Sequence, residues 1–150
     1  MDLATTPLAD IAPRVNAARA AYDRGVTKPL AWRVATLERM RDLLVEREDR
    51  FLDALAADFG KPRAEAWLTE IGFTISDIDH TLANLSAWMQ PEKVPTPLAF
   101  KPGTSEIVHE PVGVVSVISP WNYPVQLLLV PVVAAIAAGS RRLAARLAPA

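Results

Sequence analysis

Residues 111–140 contain no Asp, Glu, Lys or Arg, and an uncharged stretch of that length admits only two kinds of structure. One is a membrane span, which takes about 20 apolar residues; Arg141, Arg142 and Arg146 then follow where positive anchors would sit. The other is the interior of a folded domain. Pro111, Pro120, Pro124 and Pro131, together with Asn122, interrupt the run. A helix broken in lipid needs neighbours to satisfy its freed backbone groups, so a single-span membrane protein is the weaker reading. The run also changes texture at Pro120. Residues 112–118, VGVVSVI, are rich in β-branched side chains and predict a strand buried on both faces. Residues 125–138 are apolar all round and predict a helix deep inside a protein. Strand, sharp turn and helix are half of a βαβ unit. The residues after them offer no second strand.

Upstream the texture is helical, over about residues 10–89. A first helix is expected from Asp10, with Pro13 in its first turn, a stripe of Val15, Ala18 and Tyr22, and Gly25 just past its end. A second is expected from Pro29 to Gly60. In it Leu30, Val34, Leu37, Met40, Leu44, Phe51, Leu55 and Phe59 recur at helical steps, while Glu46 and Arg50 lie one turn apart on the wet side. A third follows Lys61-Pro62, its stripe running through Trp67 or Leu68, Ile71, Ile75, Ile78, Leu82, Leu85 and Met89, with Gly72 as its weak point. Pro91, Pro95, Pro97 and Pro102 then make residues 90–103 an extended connector. Residues 105–110, SEIVHE, alternate as a half-exposed strand does.

Composition narrows the chemistry. Sixteen basic residues against seventeen acidic ones give a net charge of −1, which supplies no field for nucleic acid or an anionic membrane surface. There is no cysteine, so the chain carries no disulfide, thiolate metal site or cysteine nucleophile. That suits a reducing cytoplasm, and the start, MDLATTPLADIAP, lacks the basic and apolar regions of a secretory signal. Asp77, Asp79 and His80 are the one cluster of metal-ligating types. The two aspartates are two apart on a helix and diverge, so the cluster reads as a solvated face and no metal site is expected. His109, in the half-exposed strand, needs no function. Neither a G-x-G-x-x-G nor a G-x-x-x-x-G-K-[ST] loop occurs, and no Ser/His/Asp set assembles around either histidine.

What remains is PWNYP. Pro120 and Pro124 pin a tight turn at the end of a buried strand, where α/β folds place ligands. Trp121 and Tyr123 supply walls. Asn122 offers an uncharged NH₂ donor of the kind that stabilises a developing oxyanion. On spacing alone a plainer role is favoured: an Asn just before a helix commonly caps its orphan N–H groups.

The segment EPVGVVSVISPWNYPVQLLLVPVVAAIAAG, residues 110–139, resembles the aldehyde dehydrogenase superfamily, particularly its class 3 and coniferyl aldehyde dehydrogenase branch. ARAAYDRGVTKPLAWRVATLERMRDLL and LAADFGKPRAEAWLTEIG resemble the amino-terminal helices of that branch, so the likeness covers about residues 14–139. It implies an α/β fold: an amino-terminal helical layer, then the first strand–turn–helix of an NAD(P)-binding domain. It implies NAD- or NADP-dependent oxidation of an aldehyde substrate to a carboxylic acid, in which a cysteine thiolate attacks the aldehyde. Asn122 matches the family's oxyanion donor. Ile118, Ser119, Pro120 and Trp121 match the segment beside the cofactor's nicotinamide, and the family forms homo-oligomers.

After Gly139 the family continues Asn-x-Val-x-x-Lys-Pro-Ser-Glu, a strand whose Lys and Glu hold the adenosine ribose. This sequence reads SRRLAARLAPA instead. The expected organisation is therefore a partial aldehyde dehydrogenase domain: helical region 10–89, connector and strand 90–110, start of the dinucleotide-binding unit 111–139, and a divergent tail 140–150. A truncation or frameshift near Gly139 is expected, giving an inactive chain whose uncovered apolar helix favours aggregation. The competing expectation from another class is a non-catalytic module that binds a second chain through its apolar helices.

Overall fold

The computed structural model describes residues 7–146. Helix α1 spans Leu8–Asp23 and begins two residues before Asp10, whose carboxylate lies in the first turn, where it favours the positive end of the helix dipole. Pro13 consequently falls inside the helix rather than in its first turn. Ala18 is buried and Val15 and Tyr22 are half-buried, as the stripe predicts. Gly25 follows with φ +73°.

The second predicted helix is two. Helix α2 covers Leu30–Glu46 and α3 covers Glu48–Phe59, with Arg47 between them at φ −112°, ψ 16°. The apolar step from Leu30 through Leu37 and Leu44 to Phe51 is seven residues, which drifts about 20° per heptad around a straight helix. The bend at Arg47 re-aims the second half, so Leu37, Leu44, Leu52 and Leu55 all reach one core. Glu46 and Arg50 therefore belong to different helices. Phe59 is 43% exposed, and Gly60 ends α3 in the left-handed region.

The third predicted helix is also segmented, into α4 (Arg63–Ala66), a π-helical stretch (Trp67–Gly72) and α5 (Phe73–Trp88). The wider π turn rotates the sequence relative to a plain helix. Trp67 and Leu68 leave the core, while Ala66, Glu70, Ile71, Thr74, Ile78, Thr81 and Leu85 enter it. Gly72 has a reason: a Cβ there would stand 3.1 Å from the Trp67 ring.

The connector is not wholly extended. Glu92–Val94 forms β1, which pairs antiparallel with β2 (Ser105–Ile107), and a 3-10 turn covers Leu98–Phe100. The strand predicted over 105–110 stops at Ile107.

Strand β3 (Val114–Ser119) leads through the turn to α6 (Gln126–Ala137) and then to β4 (Arg141–Arg146), which runs parallel to β3 from Val114↔Arg141 to Ser119↔Arg146. The βαβ unit thus has its second strand, in the segment read as a divergent tail. Parallel pairing uses backbone donors and acceptors, so an arginine-rich sequence does not forbid it. Strand β3 is not buried on both faces: Val117 and Ser119 are buried, whereas Ser116 and Ile118 are exposed. Helix α6 is covered rather than bare. Packed by α2, α5, β3 and β4, it places Val132, Val133 and Ile136 in the same core as Leu37, Ile78 and Leu85, and only Pro131 and Ala134 along it are exposed. Among the described residues no helix is long and apolar enough to cross a membrane.

Candidate functional site

The turn at residues 120–125 stands at the carboxyl end of β3, the position where open α/β sheets receive ligands. Ser119 is buried and its hydroxyl donates to the Pro120 carbonyl at 3.1 Å. Ile118 is 60% exposed, Pro120 is exposed, and Trp121 and Tyr123 are half-buried. Asn122 is exposed, and among the described residues it makes no hydrogen bond. Ile118 through Asn122 thus form one contiguous rim in which Ser119 is the inward member.

Asn122 does not cap α6. The first turn of that helix is capped from 55 residues away by Glu70, a fully buried carboxylate in the π-helical stretch. Glu70 Oε2 accepts the backbone N–H of Val125 at 2.8 Å and of Gln126 at 3.1 Å. Its Oε1 accepts from Lys61 Nζ at 2.7 Å, and the Lys61 side chain is 9% exposed. The same ammonium sits 4.1 Å from the centroid of the Tyr123 ring, a cation–π distance. Sequence reasoning missed both residues. The signal available was that Glu70, Thr74 and Thr81 share helical steps with Ile78 and Leu85, which puts polar types at core positions.

This cap limits how a dinucleotide could sit against α6. In many dinucleotide-binding folds the pyrophosphate rests on the amino end of the helix after the first strand. Here those N–H groups are taken by a carboxylate, so α6 offers no anion cradle. The fit is instead that of a wall: Ile118, Pro120 and Trp121 present apolar and aromatic surface beside a polar amide, suited to a flat ring.

The other end of α6 is equally tied. Gly139, at φ +75°, lets Ser140 N–H bond the Ala135 carbonyl at 3.0 Å and its own N–H bond that of Ile136 at 2.9 Å, the Schellman pattern. The Arg33 guanidinium donates to the Ala137 carbonyl at 2.8 Å and to that of Lys28 at 3.0 Å. A cation there complements the negative end of the helix dipole, and burial pulls the Arg33 pKa below its ordinary value. At the entry to β3, Tyr22 Oη donates to the Pro111 carbonyl at 2.9 Å.

Asp79 is occupied by Arg41, 2.6 Å away, and this hydrogen bond and charge raise the arginine's pKa. His80 packs near Trp88, with ring centroids 5.7 Å apart. His109 is exposed, beyond the end of β2. Among the described residues no three metal-ligating side chains converge.

Residues 2–144 match the family model described as the Aldehyde dehydrogenase family. The chain is 39% identical over 137 residues to "Aldehyde dehydrogenase family 3 comG" of Dictyostelium discoideum, covering 91% of this chain and 28% of that one. Its fold superposes on the substrate-bound AldH of Staphylococcus aureus with a TM-score of 0.85 at 35% identity, covering 89% of this chain and 30% of that one. It likewise superposes on an NAD-dependent benzaldehyde dehydrogenase from Corynebacterium glutamicum, with a TM-score of 0.77 at 27% identity and coverage of 93% and 29%. The chain spans less than a third of the length of each of these relatives.

Proposed function

The chain belongs to the aldehyde dehydrogenase family, and from that premise we propose that it carries the oxyanion-binding turn of an NAD(P)-dependent enzyme oxidising aliphatic or aromatic aldehydes to carboxylic acids. One observation carries this reading. Asn122 is exposed at the carboxyl end of β3 and is spent on no hydrogen bond among the described residues, because Glu70 does the capping.

In this reading the Asn122 Nδ2–H donates to the aldehyde oxygen as negative charge develops on it. An uncharged donor held on a fixed turn stabilises that charge without reorganising. Ile118, Ser119, Pro120 and Trp121 would hold the nicotinamide end of the cofactor, with Ile118, Pro120 and Trp121 offering apolar surface and Ser119 tying the strand end inward. When bound, the cofactor supplies the hydride acceptor. The nucleophile implied by the family is a cysteine, and this chain contains none. The chain by itself therefore contributes donor and wall but completes no turnover.

The test is made in a full-length relative. Replacing the asparagine that matches Asn122 by alanine is expected to lower turnover about 10²–10³-fold, the effect of losing one oxyanion donor. A loss below about threefold, with the fold intact, rejects the role.

A further inference from the structure

We propose that Glu70, fixed by Lys61, is the positioning residue of the Asn122 turn; this rests on the oxyanion role proposed above. Asn122 lies in a turn without regular structure, so something else must hold it. The turn's downstream side is gripped at three points by one buried pair. Glu70 takes the Val125 and Gln126 amides, and Lys61 takes the free Glu70 oxygen and covers the Tyr123 ring. No bond reaches Asn122 itself among the described residues, which leaves its amide available.

The composition of this clamp argues against a purely stabilising purpose. Burying a carboxylate and an ammonium is commonly no better for stability than burying apolar groups of the same size. A local Ser, Thr, Asp or Asn before α6 would cap it at less desolvation cost. What a buried pair with both carboxylate oxygens bonded adds is a single geometry. The carboxylate also arrives from a π-helical stretch, a feature found frequently at functional sites. Glu70 is fully buried; it acts through the backbone of Val125 and Gln126.

The experiment uses the 150-residue chain, ¹⁵N-labelled, without aldehyde or cofactor. Amide hydrogen exchange at Val125 and Gln126 and the backbone order parameter of Asn122 are compared in the parent, Glu70→Ala, Glu70→Gln and Lys61→Met. The parent is expected to hold Asn122 near the rigid value of about 0.85, and Glu70→Ala and Lys61→Met to drop it below about 0.6. Exchange at Val125 and Gln126 rises at least about tenfold beyond any rise at Leu44 and Ile78, which follow global stability; tenfold corresponds to about 1.4 kcal/mol of local opening. Glu70→Gln, which keeps one acceptor, restores part of the loss. Should Glu70→Ala fail to fold, Lys61→Met decides alone. Unchanged Val125, Gln126 and Asn122 in Lys61→Met overturns the proposal, as does a rise shared equally by Leu44, which marks global loosening. Failure of Asn122→Ala to affect a full-length relative removes the oxyanion reading but leaves these amide measurements standing, so the two failures are separable.

Discussion

The Thr27 hydroxyl donates a 2.6 Å hydrogen bond to the carbonyl of Gly139, joining positions 112 residues apart. Thr27 is fully buried at the α1–α2 junction, so the amino-terminal helices and the βαβ unit are tied together at this point. With Arg33 beside it at the carboxyl end and Glu70 at the amino end, α6 is held at both termini by residues from the helical layer.

Thr27→Val keeps the shape of the side chain and removes the donor. The Gly139 carbonyl is then left without its hydroxyl partner in a closed environment, which costs about 1–3 kcal/mol. Thr27→Ser retains the hydroxyl and is expected to lose less. Urea unfolding of the two variants checks the order, and equal losses would reduce Thr27 to a packing residue.

Two glycines separate backbone strain from crowding. Gly25 and Gly139 have φ +73° and +75°, so alanine at either incurs the left-handed penalty of about 1–2 kcal/mol. At Gly25 nothing lies within 4 Å of the added carbon, whereas at Gly139 it would fall 2.5 Å from Arg33 Nη2. That guanidinium is buried and bonded and cannot swing aside freely. Gly139→Ala is therefore expected to exceed Gly25→Ala by about 1–3 kcal/mol, the usual range for overpacking. Equal urea midpoints would show that Arg33 yields.

Much of this was legible in the sequence where local physics decides. Ala18 is buried and Val15 and Tyr22 half-buried along the predicted stripe, and Gly25 and Gly60 follow the ends of their helices. The PWNYP turn lies between strand and helix as its prolines require. The illegible parts share a cause: they depend on partners distant in the chain. The bend at Arg47 has neither Gly nor Pro to announce it, and follows from fitting two helix halves to one core. Strand β4 pairs with the edge of β3, and its arginine-rich sequence carries no strand pattern to announce it. The Asn122 cap was the natural local expectation, and it fails because Glu70 reaches the same N–H groups first.

Catalysis by the chain alone is expected to be absent. With no thiol anywhere in the sequence, purified protein should form no NADH or NADPH from aldehydes above a heat-treated control. Because α6 offers no free anion site, NAD and NADP should bind more weakly than about 1 mM, or about −4.1 kcal/mol. Calorimetry with each dinucleotide checks this, and saturable binding in the micromolar range would mean that the wall at Ile118–Trp121 has a phosphate partner elsewhere.

The sharpest prediction separates the two roles of Asn122 within this chain. As a helix cap, Asn122 would lose about 0.5–2 kcal/mol of stability on truncation to alanine. The structure assigns capping to Glu70 and leaves Asn122 exposed and unbonded among the described residues. An exposed side chain without partners is worth no more than about 0.5 kcal/mol in either direction. Asn122→Ala is thus expected to unfold at the parent's urea midpoint. Glu70→Ala, which strands the Lys61 ammonium and two backbone amides, should lose about 3–5 kcal/mol, the range for breaking a buried pair. Measured under one set of conditions, the gap between these variants shows which residue caps α6. A loss near 1 kcal/mol for Asn122→Ala would return that residue to the cap and withdraw the observation on which its oxyanion role stands.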